Sequence, residues 1–163
     1  MSDILVTWYS RSGSTETVAR ALAKRLGADA EPILTQVSYD GAGGFLRGIW
    51  ESLRRKAPPV QIGADPARYG LVVVGAPIWA GRAAAPLRAF LLRHGPRSRS
   101  VAAFCVSGSG GAYPEAFAEI EALAGRPLVA TLALSQQKAL STDAGPVLDA
   151  FARQLQTRGA VAA

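Results

Sequence analysis

The sequence predicts an α/β protein: a doubly wound, five-stranded parallel sheet with helices on both faces. Three observations carry that reading. Short apolar runs of strand length recur along the chain, and each is followed by a stretch whose apolar residues return at helical spacing. The runs are apolar throughout rather than alternating, as in parallel strands buried on both faces. The two kinds of segment alternate with no linker, internal repeat or low-complexity tract between them, the order expected of successive βα units.

The first strand is read at 4–9 (ILVTWY), and the helix after it carries Val18, Leu22 and Leu26 at intervals of four, with Ala19 beside them. A weaker run at 31–37 (EPILTQV) is less apolar and reads as an edge strand. The second helix places Phe45, Leu46, Ile49, Trp50 and Leu53 on one apolar face and Arg47, Glu51, Arg54 and Arg55 on the other. Three further strands are expected at 71–75 (LVVVG), 101–106 (VAAFCV) and 128–134 (LVATLAL). The helices between and after them are marked by Leu87, Phe90 and Leu91, by Phe117, Ile120 and Leu123, and by Leu148, Phe151 and Leu155. Ser141 to Asp143 ahead of Pro146 give the last helix its start signal.

A chain of 163 residues, 49% of them apolar, suits one domain spanning 1–163 with a core of its own. No apolar run approaches the ~18 residues of a membrane span, and no secretory leader is visible. Cys105 is the sole cysteine, so no internal disulfide forms, which fits a reducing, cytoplasmic setting. The net charge of +6 is mostly arginine. Arg54, Arg55 and Lys56 close one helix and Arg93 and His94 another, where cations complement the helix dipole. No basic stripe with interleaved aromatics appears, so nucleic acid is not the expected partner.

In a doubly wound sheet, ligands sit beyond the carboxyl ends of the strands, where loops lead into helix N-termini. The first such loop holds Ser10, Arg11, Ser12, Gly13, Ser14 and Thr15. Unpaired N–H groups of a first helical turn, hydroxyl donors and a flexible glycine together suit a phosphate. A plain helix cap needs only one of those hydroxyls. Neither G-x-x-x-x-G-K-[ST] nor G-x-G-x-x-G is present, so a monophosphate is the simpler expectation.

Two more loops fall at the same edge. After 71–75 come Pro77, Ile78, Trp79, Ala80 and Gly81, and after 101–106 come Ser107, Gly108, Ser109, Gly110, Gly111 and, beyond Ala112, Tyr113. Trp79 and Tyr113, one on each loop, suit the walls of a site for a planar ring.

At these residues the chain resembles the flavodoxins and flavodoxin-like FMN proteins over nearly its whole length. "SRSGST" is similar to the family's phosphate loop, T/S-x-T-G-x-T, with Ser12 where threonine is commoner. "GAPIWAG" resembles the loop that lays a Trp or Tyr on the isoalloxazine, and "SGSGGAY" the loop that holds the other side of the ring. The resemblance implies FMN as cofactor, a strand order of 2-1-3-4-5 and a short-chain member of the group, since no long insertion interrupts 127–142. It also implies electron transport between redox partner proteins, by a monomer or homodimer. An FMN-dependent oxidoreductase with its own small-molecule electron acceptor, a quinone or a porphyrinogen, stays open beside it, as does a phosphate-binding module without flavin.

Other chemistries are poorly provided for. His94 is the only histidine and lies away from the loops, which leaves no Ser-His-Asp set and too few ligands for a metal. Cys105, inside an apolar run, reads as a small buried hydrophobe. Arg47 and Arg82 are candidates to receive an anionic substrate or partner.

Acidic flavodoxins surround their flavin with carboxylates, but residues 107–113 contain no acid and the middle loop carries Arg82. Negative charge beside a flavin disfavours its anionic reduced form. A redox titration of the FMN-loaded chain is therefore expected to give a second potential less negative than those of acidic flavodoxins, and a lower one would refute the electrostatic argument.

Overall fold

The computed structural model describes residues 2–161. Its central sheet is built from β1 (Ile4–Trp8), β2 (Asp29–Pro32), β5 (Leu71–Trp79), β7 (Val101–Ser107) and β8 (Thr131–Ser135), all parallel, in the order β2-β1-β5-β7-β8. A short β6 (Arg82–Ala83) turns back antiparallel on the end of β5. Two further short strands, β3 (Leu34–Thr35) and β4 (Val60–Gln61), pair with each other outside that sheet. The order is the one expected, with the chain reversing direction across the sheet between β1 and β5.

Among the described residues six α-helices surround the strands: α1 (Ser14–Leu26), α2 (Gly41–Leu53), α3 (Ala85–His94), α4 (Pro114–Ala124), the one-turn α5 (Gln136–Ala139) and α6 (Ala144–Val161). Alternate strand residues face opposite layers. Val6, Trp8, Val73, Ala102, Phe104 and Val106 pack against Val18, Leu22 and Leu26 of α1 and Leu148, Phe151 and Leu155 of α6. Leu5, Val72, Val74, Ala103 and Cys105 pack on the other side, against Leu87, Phe90 and Leu91 of α3 and Ile120 of α4.

Three expectations need correction. The strand read at 31–37 is β2 at Asp29–Pro32, two residues earlier. Pro32, opposite Trp8, has no N–H to continue the ladder, and after one bond from Ile33 N–H to the Trp8 carbonyl (2.6 Å) the chain leaves for the β3–β4 pair. The strand read at 128–134 begins its ladder only at Thr131, although Val129 N–H already reaches the Val101 carbonyl at 2.9 Å.

The third correction concerns α2, whose apolar residues face outward. Leu46, Trp50 and Leu53 are 65%, 51% and 57% exposed and Phe45 39%, while Gly48, Glu51 and Ser52 are buried. The reason is the small-residue stripe Gly44, Gly48, Ser52 on the opposite side. A Cβ at Gly44 would collide with the Tyr39 backbone, and one at Gly48 would lie 2.8 Å from the Trp79 ring. Backbone packs there where side chains would ordinarily intervene.

Gly75 meets a similar constraint inside the sheet. It pairs with Phe104, and a Cβ at Gly75 would fall within the Phe104 ring. Gly75→Ala is expected to destabilise the protein by about 1–3 kcal/mol, the usual cost of overpacking, read as a lowered urea midpoint with an unchanged slope.

Candidate functional site at the carboxyl edge of the sheet

β1, β5 and β7 are neighbours and parallel, so the segments leaving them emerge side by side. Residues 9–13 leave β1 and enter α1 at Gly13, which caps the helix in the left-handed region at φ 97°. No side chain caps this N-terminus. Gly13 N–H instead donates to the Ser10 hydroxyl at 3.0 Å, and the Thr17 hydroxyl donates back to the Gly13 carbonyl, also at 3.0 Å. Ser10 keeps its own O–H as a donor. Ser14 and Thr15 are buried in the first turn, while Arg11 and Ser12 are exposed. The result is a helix start with free N–H groups among hydroxyls, an arrangement that suits a small anion.

The second segment is a hairpin. β5 runs through Trp79, Ala80 and Gly81 make the turn, and Arg82 pairs back with Trp79. Both turn residues have positive φ, 50° and 76°, as a type I′ turn requires. Ala80 adopts that conformation without glycine's freedom. Pro77 and Ile78 are half-buried behind the exposed tip.

The third segment follows β7. Ser107 accepts from Gly110 N–H at 2.8 Å, and the Ser109 and Tyr113 hydroxyls lie 2.7 Å apart. Gly108 faces open space, and Gly110 has φ 77°. Tyr113, half-buried, adopts the left-handed region (φ 50°) as it enters α4 ahead of Pro114. Hydrogen bonding to the Ser107 and Ser109 hydroxyls lowers its phenol pKa from the ordinary value. Two non-glycine residues, Ala80 and Tyr113, thus hold strained backbone in this region, and such strain persists only where the surroundings enforce it.

The Trp79 ring does not stand at the rim. It is 4% exposed, edge-on to Tyr9 with centroids 5.8 Å apart and tilted against Tyr39 at 5.1 Å, with Gly48 of α2 pressed on it. Burial, and then the charge of Asp40, push the Tyr9 phenol up to about 12. Tyr39 donates to Glu51 at 2.5 Å, and Glu51 also accepts from Arg47 at 2.8 Å. Burial and the bond to Glu51 raise the Tyr39 phenol's pKa as well. Neither Tyr9, Tyr39 nor Glu51 belongs to a recognisable motif. Tyr9 directly follows β1, Tyr39 precedes α2 and Glu51 lies within α2, so nothing but their placement in the fold brings them together.

Arg47 and Arg82 are both engaged. Arg47 pairs with Glu51, and Arg82 lies 3.5 Å from Glu119 of α4, which is shared with the buried Arg88 at 2.9 Å. They brace the site more than they await an anion. Arg11 has no such carboxylate and lies over the Phe45 ring, 5.1 Å from its centroid, joining the first loop to α2. Cys105 is buried in β7 and its thiol is pushed up to about 12 by desolvation, which makes it inert. His94 ends α3 against Phe90, and burial lowers its pKa.

No protein-family model matches the chain, and no curated protein matches its sequence. Solved structures do match. A flavoprotein in complex with FMN from Lactobacillus acidophilus superposes with a TM-score of 0.69 at 20% identity, over 82% of this chain and 93% of that one. A flavodoxin, WrbA-like protein from Agrobacterium tumefaciens gives 0.63 at 17% identity, over 99% and 98%. The rubredoxin oxygen:oxidoreductase of Desulfovibrio gigas gives 0.62 at 17% identity, this chain covering 37% of that longer one. The fold is flavodoxin-like.

The buried Tyr39–Glu51 bond supplies a test of how α2 is held. Tyr39→Phe leaves one carboxylate oxygen of a buried acid without its donor, so a loss of about 1.5–3 kcal/mol is expected in chemical denaturation. No change would mean that water replaces the phenol and that α2 is anchored elsewhere.

Proposed function

We propose that this chain is an FMN-binding redox protein that passes electrons between cellular partners in the cytoplasm. The observation that carries the proposal is the start of α1: Gly13 at φ 97°, no side-chain cap, and hydroxyls on either side. It lies at the point where the strand order reverses, the usual place for a ligand in an open α/β sheet. The FMN complex among the similar structures adds support.

The donor set fits the cofactor. Ser10, Arg11, Ser12, Gly13, Ser14 and Thr15 hold the phosphate: the first-turn N–H groups and hydroxyls donate, and the dipole of α1 favours the negative charge. Pro77, Ile78, Ala80 and Gly81 would hold one side of the ring, with the backbone of Ala80 and Gly81 available to it. Ser107, Gly108, Ser109, Gly110, Gly111 and Tyr113 would hold the other. Trp79 contributes from beneath, locked with Tyr9 and Tyr39 into a stiff floor that fixes where the hairpin stands. FMN would supply the electron-carrying chemistry, and the chain supplies position, exclusion of water and three loops, 10–15, 77–81 and 107–113, that carry no carboxylate of their own.

The protein as purified, or after addition of FMN and gel filtration, is expected to show bound-flavin absorption. Ser12→Asp supplies the discriminating variant. An exposed carboxylate there complements the α1 dipole, so the fold stands, but it repels a phosphate. FMN affinity should fall at least about tenfold, the 1.4 kcal/mol equivalent of one strong local charge effect. A chain that refuses FMN would overturn the proposal, and an unchanged affinity in Ser12→Asp would move the phosphate away from this loop.

A further inference from the structure

The outward face of α2 calls for a cover. Leu46, Trp50 and Leu53 recur at helical spacing along one side of the helix and are more than half exposed. An apolar helix face of this kind marks an interaction site when charges rim it. Here the rim is basic. Arg54 and Lys56 both lie over the Trp50 ring, at 5.8 and 5.9 Å from its centroid, and Arg55 follows between them in sequence. The only acid between residues 41 and 56 is Glu51, which is buried and bound to Tyr39 and Arg47. The patch reaches the first loop through Arg11 over Phe45.

We infer that this face of α2 docks an acidic redox protein, which places that partner beside the site of the proposed cofactor. The inference rests on the redox reading for the partner's role but not for its chemistry. A second copy of this chain is a poor occupant, because it carries the same cations and a net charge of +6, and a two-fold contact would set like charge against like. A lipid surface suits the cations less well, since they sit over the indole: inserting the ring would draw charge towards the acyl layer. Carboxylates on a protein can meet the ring and its cations at one level. Tryptophan and arginine are also the residues that most often dominate protein interfaces.

The probe is a strongly acidic [2Fe–2S] ferredoxin, titrated calorimetrically into the apo and FMN-loaded chain at low and at physiological salt. Binding is expected in both forms and should weaken as salt rises. Trp50→Ser and the double variant Arg54→Glu/Lys56→Glu should each weaken it at least about tenfold, with FMN affinity and melting temperature unchanged. Leu140→Ser, an exposed leucine outside α2, should leave it intact. Absence of ferredoxin binding, or equal binding by the α2 variants, overturns the inference. So does a dimer in light scattering, or sedimentation with phosphatidylglycerol vesicles, that Trp50→Ser abolishes. Ferredoxin binding by a chain that refuses FMN would remove the flavin reading and leave the docking face standing.

Discussion

The parallel pairing of β1 with β5 is the constraint on which the rim depends. Ile4 to Trp8 lie opposite Leu71 to Gly75 residue for residue, and one further bond, Tyr9 N–H to the Gly75 carbonyl at 3.0 Å, carries the pairing to the lip of the sheet. Because that ladder is in register, β1 ends opposite Gly75 while β5 runs on to Trp79. The hydroxyl-rich loop and the Trp79 hairpin then have no choice but to be neighbours. Gly75 makes the register tolerable on the far side, where Phe104 needs the volume a side chain would occupy. A glycine in the middle of a strand costs about 0.5–1 kcal/mol in chain entropy. The packing of an aromatic ring into the space it leaves offsets that cost.

A second close approach organises the layer above. Gly44 and Gly48 bring the backbone of α2 down onto Tyr39 and Trp79, and the Tyr39–Glu51–Arg47 chain of hydrogen bonds pins the helix in that position. Two consequences follow from one contact. Trp79 is held inside, packed with Tyr9 and Tyr39, so the hairpin it terminates has a rigid base. The large side chains of α2, denied the inward face, are turned to solvent. Moving Trp79 to the rim would leave a cavity beneath Gly48 that no side chain of α2 is positioned to fill.

Most of the architecture was legible in the sequence because burial on both faces leaves a strong mark. The runs at 71–75 and 101–106 are apolar at every second and intervening position, and both are strands in the central three of the sheet. The hydroxyl loop was legible for a different reason: five small donors crowd one helix start, more than a cap requires. What failed was the inference from amphipathicity to orientation. The pattern Phe45, Leu46, Ile49, Trp50, Leu53 reads as a core-facing stripe, and the helix exists as expected, but hydrophobic periodicity says only that two faces differ. It does not say which one packs. The glycines held that information, since Gly44, Gly48 and Ser52 also recur every four residues and permit a closer approach than leucine does. The edge strand was misplaced because Pro32 interrupts its ladder, and a partly exposed run of four residues leaves little periodicity to read. The Tyr39–Glu51 contact spans twelve residues with no motif, so the sequence could not announce it.

The charge distribution gives the two halves of the rim different tasks. Around the hairpin and third loop, Arg82 and Arg88 converge on one carboxylate, Glu119, and the three form a compact brace between β6, α3 and α4. Arg88 is buried and also donates to the Lys56 carbonyl at 3.1 Å, so the brace reaches the end of the segment that carries α2. Charge there is spent on geometry. Along α2 the pattern is reversed: Arg54 and Lys56 lie on an exposed indole, where a cation over a ring in water gains only about 0.5–1 kcal/mol. An arrangement so weakly favoured in isolation contributes more once a partner excludes water from it, because a cation–π contact strengthens to about 2 kcal/mol when desolvated. The same cations that solubilise the bare apolar face would therefore strengthen its contact with an acidic surface. That difference, between charges consumed inside the protein and charges left poised outside it, separates the braced part of the rim, where the ligand is proposed to sit, from the face of α2 that is proposed to be covered.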